Sequence, residues 1–186
     1  NNELSNKLAL MKGCEAALVY TSGYGANLGA LTAILRKNDV AILDALAHAS
    51  LIDGTHSTNK LYFRHNDLQS LESILVKAKD KYINKLVILD GVYSMDGDIA
   101  FLDKIVELAH SYGAWVLVDE AHATGVIGPT GAGTPEYFNV LGKVDIVTGT
   151  LSKAIGCVGG FVAGSKELIR YLEATSRPFI FSTAPF

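Results

Sequence analysis

Lys153 stands in an uncharged, glycine-rich stretch, T-G-T-L-S-K-A-I-G-C-V-G-G, directly after an apolar run. Desolvation disfavours an ammonium group, so a lysine in apolar surroundings resists protonation. A neutral amine adds to an aldehyde and forms a Schiff base. A plain surface lysine on a loop fits the same local pattern. V-L-V-D-E-A-H places Asp119 at the end of a second apolar run, with His122 three residues later. Three chemistries fit that pair. Asp119 could hold a heterocyclic nitrogen protonated while His122 touches a neighbouring oxygen. Asp119 could cap the next helix, with His122 making a local hydrogen bond. D-x-x-H could also chelate a metal, although no further glutamate or histidine at helical i, i+4 spacing joins it.

Gly23, Tyr24 and Gly25 lead into a helical pattern, and a helix N-terminus preceded by glycine is a natural seat for an anion. S-G-Y-G-A-N is not the G-x-G-x-x-G of a dinucleotide site, and no G-x-x-x-x-G-K-[ST] phosphate loop is present. Hydroxyls at Thr150 and Ser152 could complete a phosphate cradle. His48 precedes the helical stretch ASLIDG and could stack on a planar ring, or be structural. Ser94, in Y-S-M-D-G-D, is open to either reading. A Ser-His-Asp hydrolase is disfavoured because no G-x-S-x-G elbow occurs. His56, His65 and His110 read as surface or capping residues. A phosphate seat, a carboxylate for a ring nitrogen, a stacking imidazole and an amine nucleophile together describe pyridoxal 5′-phosphate, with no metal.

These residues need a scaffold that brings them to one place. Strand-like runs occur at Ala16–Tyr20, Val40–Leu43, Lys60–Phe63, Leu86–Leu89, Ala114–Val118, Val144–Val147 and Gly160–Ala163. Between them lie helical periods. Asn66 and Asp67 offer a cap to LQSLESILVKAK, with Leu68, Leu71, Ile74 and Leu75 on one face. In FLDKIVELAHSYG the apolar face is Phe101, Ile105, Leu108 and Ala109, and Gly113 takes the C′ position. Lys166–Ala174 reads as a third helix. Alternation of this kind predicts an α/β fold, a mostly parallel seven-stranded sheet with helices on both faces. Ligands then bind outside the carboxyl ends of the strands. Asp44, Asp90, Asp119, His48, His122, Ser94, Thr150 and Lys153 all follow apolar runs, so all collect along one edge, and an enzyme is the leading expectation.

Composition agrees with one apolar domain. Of 186 residues, 49% are hydrophobic and 19% charged, which excludes a disordered chain. Sixteen Lys plus Arg against nineteen Asp plus Glu leave a net charge of −3, which disfavours a nucleic acid as main partner. The apolar runs are too short to span a bilayer. Two cysteines without a C-x-x-C pair argue against a disulfide framework or zinc ribbon, so a reducing, cytoplasmic setting is expected. The chain opens without an initiator Met and stops after a buried-looking stretch, so a segment of a longer polypeptide is expected.

SGYGAN, HAS, RHND, GVYSMDGDIA, VDEAHATGVIG, GTLSKAIGCVGGF and SRPFIFST follow one another through nearly the whole chain. In this order they resemble the α-oxoamine synthases, pyridoxal-phosphate enzymes of fold type I. The resemblance implies that residues 1–186 are the cofactor-binding large domain, whose family sheet has seven strands, with an N-terminal arm and a C-terminal small domain outside the segment. It makes Lys153 the Schiff-base lysine and pairs Asp119 with the pyridine nitrogen. His122 then contacts the ring hydroxyl, His48 stacks on the ring, and Ser94 lines the pocket. Gly23, Tyr24 and Thr150 match phosphate-loop positions, and Ser182 matches one supplied by the other subunit of a homodimer with shared active sites. The implied reaction condenses an amino acid with an acyl-CoA, releasing carbon dioxide and CoA. Alanine with a pimeloyl thioester is the favoured pair; serine with a long acyl-CoA and glycine with acetyl-CoA are alternatives. A non-catalytic binding paralogue is the reading from another class, and retention of Lys153, Asp119 and His122 argues against it. Two departures stand out. Ala132, in GPTGAG, replaces an arginine common in relatives, and the chain reads A-P-F where relatives have S-L-P-P or A-L-P-P.

Overall fold

The structure, a computed structural model, describes residues 2–183. In chain order its elements are α1 (Asn2–Lys12), β1 (Ala16–Tyr20), α2 (Gly23–Ile34), β2 (Val40–Asp44), α3 (Ala49–Gly54), β3 (Asn59–Phe63), α4 (Leu68–Ala78), β4 (Lys85–Asp90), α5 (Leu102–Ser111), β5 (Trp115–Asp119), α6 (Thr134–Tyr137), β6 (Ile146–Thr150), β7 (Gly160–Gly164), α7 (Lys166–Thr175) and α8 (Arg177–Ile180). The seven strands form one sheet in the order β1-β7-β6-β5-β4-β2-β3. Pairs β2–β3, β2–β4, β4–β5 and β5–β6 are parallel. Only β7 runs against its neighbours, β1 and β6. The expected mostly parallel sheet is therefore the one observed.

Period-2 alternation splits the core into two layers. Val87, Leu89, Val116 and Val118 face α1, α4 and α5, where Leu8, Leu71, Leu75, Ile105 and Ala109 meet them. Leu86, Ile88, Leu117 and Ile146 point the other way, toward Ala30, Leu31, Leu51, Ile169 and Leu172 of α2, α3 and α7. Continuous apolar strands follow from this two-sided burial, since neither face meets water.

Helix ends obey local chemistry. Asp67 caps α4, its side chain accepting Ser70 N at 2.8 Å, and Gly113 takes the C′ position after α5 with φ +64°. The buried face of α5 is Leu102, Ile105, Val106 and Ala109; Phe101, expected on that face, precedes the helix as its N-cap and is exposed. The sixth strand starts two residues later than its apolar run. Asp145 spends its carboxylate on Val116 N at 2.8 Å and on His110 Nε2 at 2.9 Å, so ladder pairing begins with Ile146 opposite Leu117.

Candidate active site

Asp119 closes β5 on the α2 side of the sheet and is almost fully buried. Each of its carboxylate oxygens takes one N–H. Asn27 Nδ2 donates to Oδ2 at 2.6 Å, and Ala121 N donates to Oδ1 at 2.9 Å. Register places Asp90, the end of β4, directly beside it. Two buried carboxylates this close do not both ionise readily. Burial first, and then the charge of Asp119, push Asp90 up to about 8, against the His48 N–H that donates to it at 3.0 Å. Burial beside Asp119 thus favours the protonated form of Asp90.

His122 sits in the turn after Asp119, half-buried, and its Nε2 lies 2.7 Å from Lys153 Nζ. Burial lowers its pKa, and the Lys153 and His48 charges act in the same direction against Asp119. A neutral ring accepts at Nε2 and carries its proton on Nδ1, so the lysine donates to it. Lys153 itself is exposed on the loop between β6 and β7. The buried amine expected from its apolar sequence neighbours is not what the fold builds, because Ala154, Ile155 and Gly156 are exposed with it; its contact is with an imidazole instead.

His48 caps α3, and its Nδ1 lies 2.8 Å from Ser50 Oγ. Ser50 Oγ accepts Asn27 Nδ2 at 2.9 Å, so one amide joins the His48 turn to Asp119. At the start of α2, Ser22 caps the helix by accepting Gly25 N at 2.9 Å. Gly23 lies against Thr150, and a Cβ there would come within 2.9 Å of Thr150 Cβ. Thr150 Oγ1 is 2.7 Å from Ser152 Oγ. A helix N-terminus and two hydroxyls converge, which suits a phosphate. Tyr24 is exposed and its hydroxyl bonds Asp53. Ser94 and Ser182 are exposed, and neither makes a hydrogen bond to another described residue. The fold therefore gathers Gly23, His48, Asp119, His122, Thr150 and Lys153, and leaves Tyr24, Ser94 and Ser182 outside that network.

Asn27, Ser50 and Glu120 belong to the site region without having been singled out from the sequence. Asn27 carried a signal, being the polar residue inside the apolar helix ANLGALTAIL. His65 also differs from the surface or capping role expected of it. It bridges Asp44 at 3.0 Å and Asp98 at 2.6 Å, tying the loop that carries Ser94 to the end of β2. A cavity of about 600 Å³ opens at the opposite edge of the sheet, near Cys14, Trp115 and Tyr171. None of the gathered residues lines it. Among the described residues no cluster of three metal-ligating side chains occurs.

The aminotransferase class I and II profile matches residues 1–185. The chain belongs to that family. An 8-amino-7-oxononanoate synthase from Thermoanaerobacter pseudethanolicus is 51% identical over 99% of this chain and 47% of its own length. Among solved structures, a serine palmitoyltransferase from S. paucimobilis with bound PLP and myriocin superposes with TM-score 0.92 at 40% identity, covering 98% of this chain and 48% of that one. An 8-amino-7-oxononanoate synthase from Francisella tularensis gives TM-score 0.86 at 27% identity, over 98% and 53% of the two chains. The chain thus spans about half the length of the curated relatives it matches. Both solved family members share its sheet, as the fold-type-I resemblance implies.

Proposed function

We propose that the protein containing this chain is a PLP-dependent α-oxoamine synthase, an 8-amino-7-oxononanoate synthase of biotin biosynthesis. The observation that carries the reading is the convergence of Asp119, His122 and Lys153 at one sheet edge, in a chain about half identical to a synthase of that name. The residues present fit the cofactor. A buried carboxylate already supplied with two N–H donors suits a protonated ring nitrogen, and the Gly23–Thr150–Ser152 corner suits a phosphate. Buried beside them, Asn27 Oδ1 and Thr148 Oγ1 have no hydrogen-bond partner among the described residues. Bound pyridoxal phosphate supplies an aldehyde for amine capture and a ring that takes up the electron pair left on a substrate α-carbon.

In this reading Asp119 holds the ring-nitrogen proton through its charge, and Asn27 and Ala121 N–H keep that carboxylate in place. Lys153 Nζ would be the amine that holds the cofactor and the base for the proton at the substrate α-carbon. His122 contacts the ring hydroxyl and orients Lys153. His48, steadied by Ser50, covers the ring face. Gly23, Tyr24, Thr150 and, from a second subunit, Ser182 bind the phosphate, while Ser94 lines the pocket. Residues 1–186 act as the large domain of a cytoplasmic homodimer, completed by an arm and a small domain. The substrates are alanine and a pimeloyl thioester, and the products are the amino ketone, carbon dioxide and free CoA.

Serine palmitoyltransferase is the second reading, favoured by the 0.92 superposition. The full-length protein, loaded with PLP, decides between them when assayed for CoA release with alanine, serine or glycine against pimeloyl-, palmitoyl- and acetyl-CoA. Turnover with alanine and pimeloyl-CoA at least tenfold above the other pairs supports the proposal. Preference for serine with palmitoyl-CoA replaces it, and no turnover with any pair rejects both.

A further inference from the structure

Behind the site, on the α1 side of the sheet, lies a charged pair with no exposure. Lys12 ends α1, and Glu120 follows Asp119. Both side chains are 0% exposed, with Nζ 3.6 Å from Oε2. Lys12 also donates to Thr124 Oγ1 at 2.8 Å and to Ala132 O at 2.6 Å. Glu120 accepts Thr134 N at 2.8 Å and the Thr134 hydroxyl. The Phe161 ring lies 5.7 Å from Nζ. Burial lowers Lys12 and raises Glu120, and each charge opposes the other's shift. Two glycines make the room. A Cβ on Gly91 would come within 2.1 Å of Oε1, and one on Gly133 within 1.6 Å of Oε2.

Stability alone does not account for such a pair, since well-packed apolar replacements of buried ion pairs are often neutral or stabilising. Its hydrogen-bond partners have something else in common. Thr124, Ala132, Thr134 and Glu120 all belong to the segment from 119 to 134, which carries Asp119 and His122. Successive strand residues point to opposite faces. Holding the Glu120 side chain toward α1 therefore fixes the direction in which Asp119 points toward Asn27. Thr124, two residues past His122, is held by Lys12 on one side and by the Glu120 carbonyl at 2.9 Å on the other.

We propose that Lys12 and Glu120 are a positioning pair that sets the geometry of Asp119 and His122 from the opposite face of the sheet. The proposal rests on the functional reading above for what those two residues contact. It assigns Lys12 and Glu120 no contact with substrate or cofactor.

The test uses the full-length protein with Glu120→Gln, Lys12→Met and the double variant. Leu75→Ala is the control, because α4 packs on β3, the edge strand farthest from β1 and α1. In PLP-free protein, amide exchange across 119–134 is expected to quicken about tenfold relative to the rest of the chain in the pair variants and not in the control. In PLP-loaded protein, PLP affinity should fall about tenfold or more, as when supporting residues behind a ligand shell are lost. The pH midpoint of the cofactor's visible absorbance should move as well. A purely structural pair would lower thermal stability, as Leu75→Ala does, and leave that midpoint in place. The double variant leaves no unpaired buried charge, so it keeps the test available if a single variant does not fold. Wild-type exchange across 119–134, or a wild-type midpoint and PLP affinity, in the double variant overturns the proposal. If wild-type protein takes up no PLP, the functional reading fails while the exchange comparison still decides the pair.

Discussion

Asp119 shows how much of a residue's role depends on its donors. Both oxygens already accept an N–H, so an amide in its place can offer only one acceptor and turns an N–H against an N–H. It also removes the charge. Asp119→Asn in the PLP-loaded full-length protein is expected to keep the cofactor and lose about 10²–10³ in kcat, on the order of 3–4 kcal/mol of transition-state stabilisation. Turnover within about tenfold of wild type would remove the role given to this carboxylate. Asp90 makes the opposite prediction. Its pKa is raised in the folded chain from an ordinary 3.8 to about 8, so the folded state holds that proton more tightly. The stability tied to it is complete below about pH 4 and is lost as the pH climbs toward about 8. Asp90→Asn keeps an oxygen for His48 N and cannot ionise. Urea unfolding of PLP-free protein should find the variant more stable than wild type by on the order of 2–4 kcal/mol at neutral pH, the gain vanishing in acid. Parallel pH slopes for the two proteins would contradict this.

At the scale of elements, the segment joining β5 to α6 is the most constrained piece of backbone near the site. Gly133 has φ +106°, a region closed to side chains, and a Cβ would press on the Glu120 carboxylate. Gly133→Ala is therefore expected to destabilise the protein by about 3 kcal/mol or more, through backbone strain together with displacement of a buried carboxylate. Thermal unfolding checks it, and a change below about 1 kcal/mol would show that the segment yields. Elsewhere the elements follow ordinary rules. The α4 helix is held by Leu71 and Leu75, and an Asp67 cap starts it.

For the whole molecule, the prediction concerns assembly. If Ser182 serves the phosphate of a neighbouring subunit, each site combines Lys153 of one chain with Ser182 of its partner. Lys153→Ala removes the amine, and Ser182→Glu sets a carboxylate against the phosphate, so each homodimer should be nearly inactive. In a mixed dimer one site collects both lesions and the other none. Random mixing makes about half the dimers mixed, and roughly a quarter of wild-type activity should return. Native mass spectrometry can confirm the mixed species. Mixed dimers without recovered turnover would place Ser182 in its own chain's site or in none.

Sequence alone determined the seven strands, the helices between them from α2 to α5 and α7, and the edge on which chemistry collects. Seven apolar runs become strands of one sheet, six of them with their carboxyl ends facing one way, because runs buried on both faces need helices on both sides of a mostly parallel sheet. Lys153, Asp119 and His122 were legible for that reason, and Gly113 and Asp67 were legible because caps and C′ glycines are local chemistry. What depended on distance in space was not. The antiparallel placement of β7 between β1 and β6 leaves no mark on the short run Gly160–Ala163. Asn27 and Asp119 are 92 residues apart, and Lys12 and Thr124 are 112 apart, yet each pair shares a hydrogen bond. Lys153, apolar in its neighbours along the chain, is exposed and meets His122 instead. A titratable group's environment is set by what packs against it, and for these residues only the tertiary structure decides that.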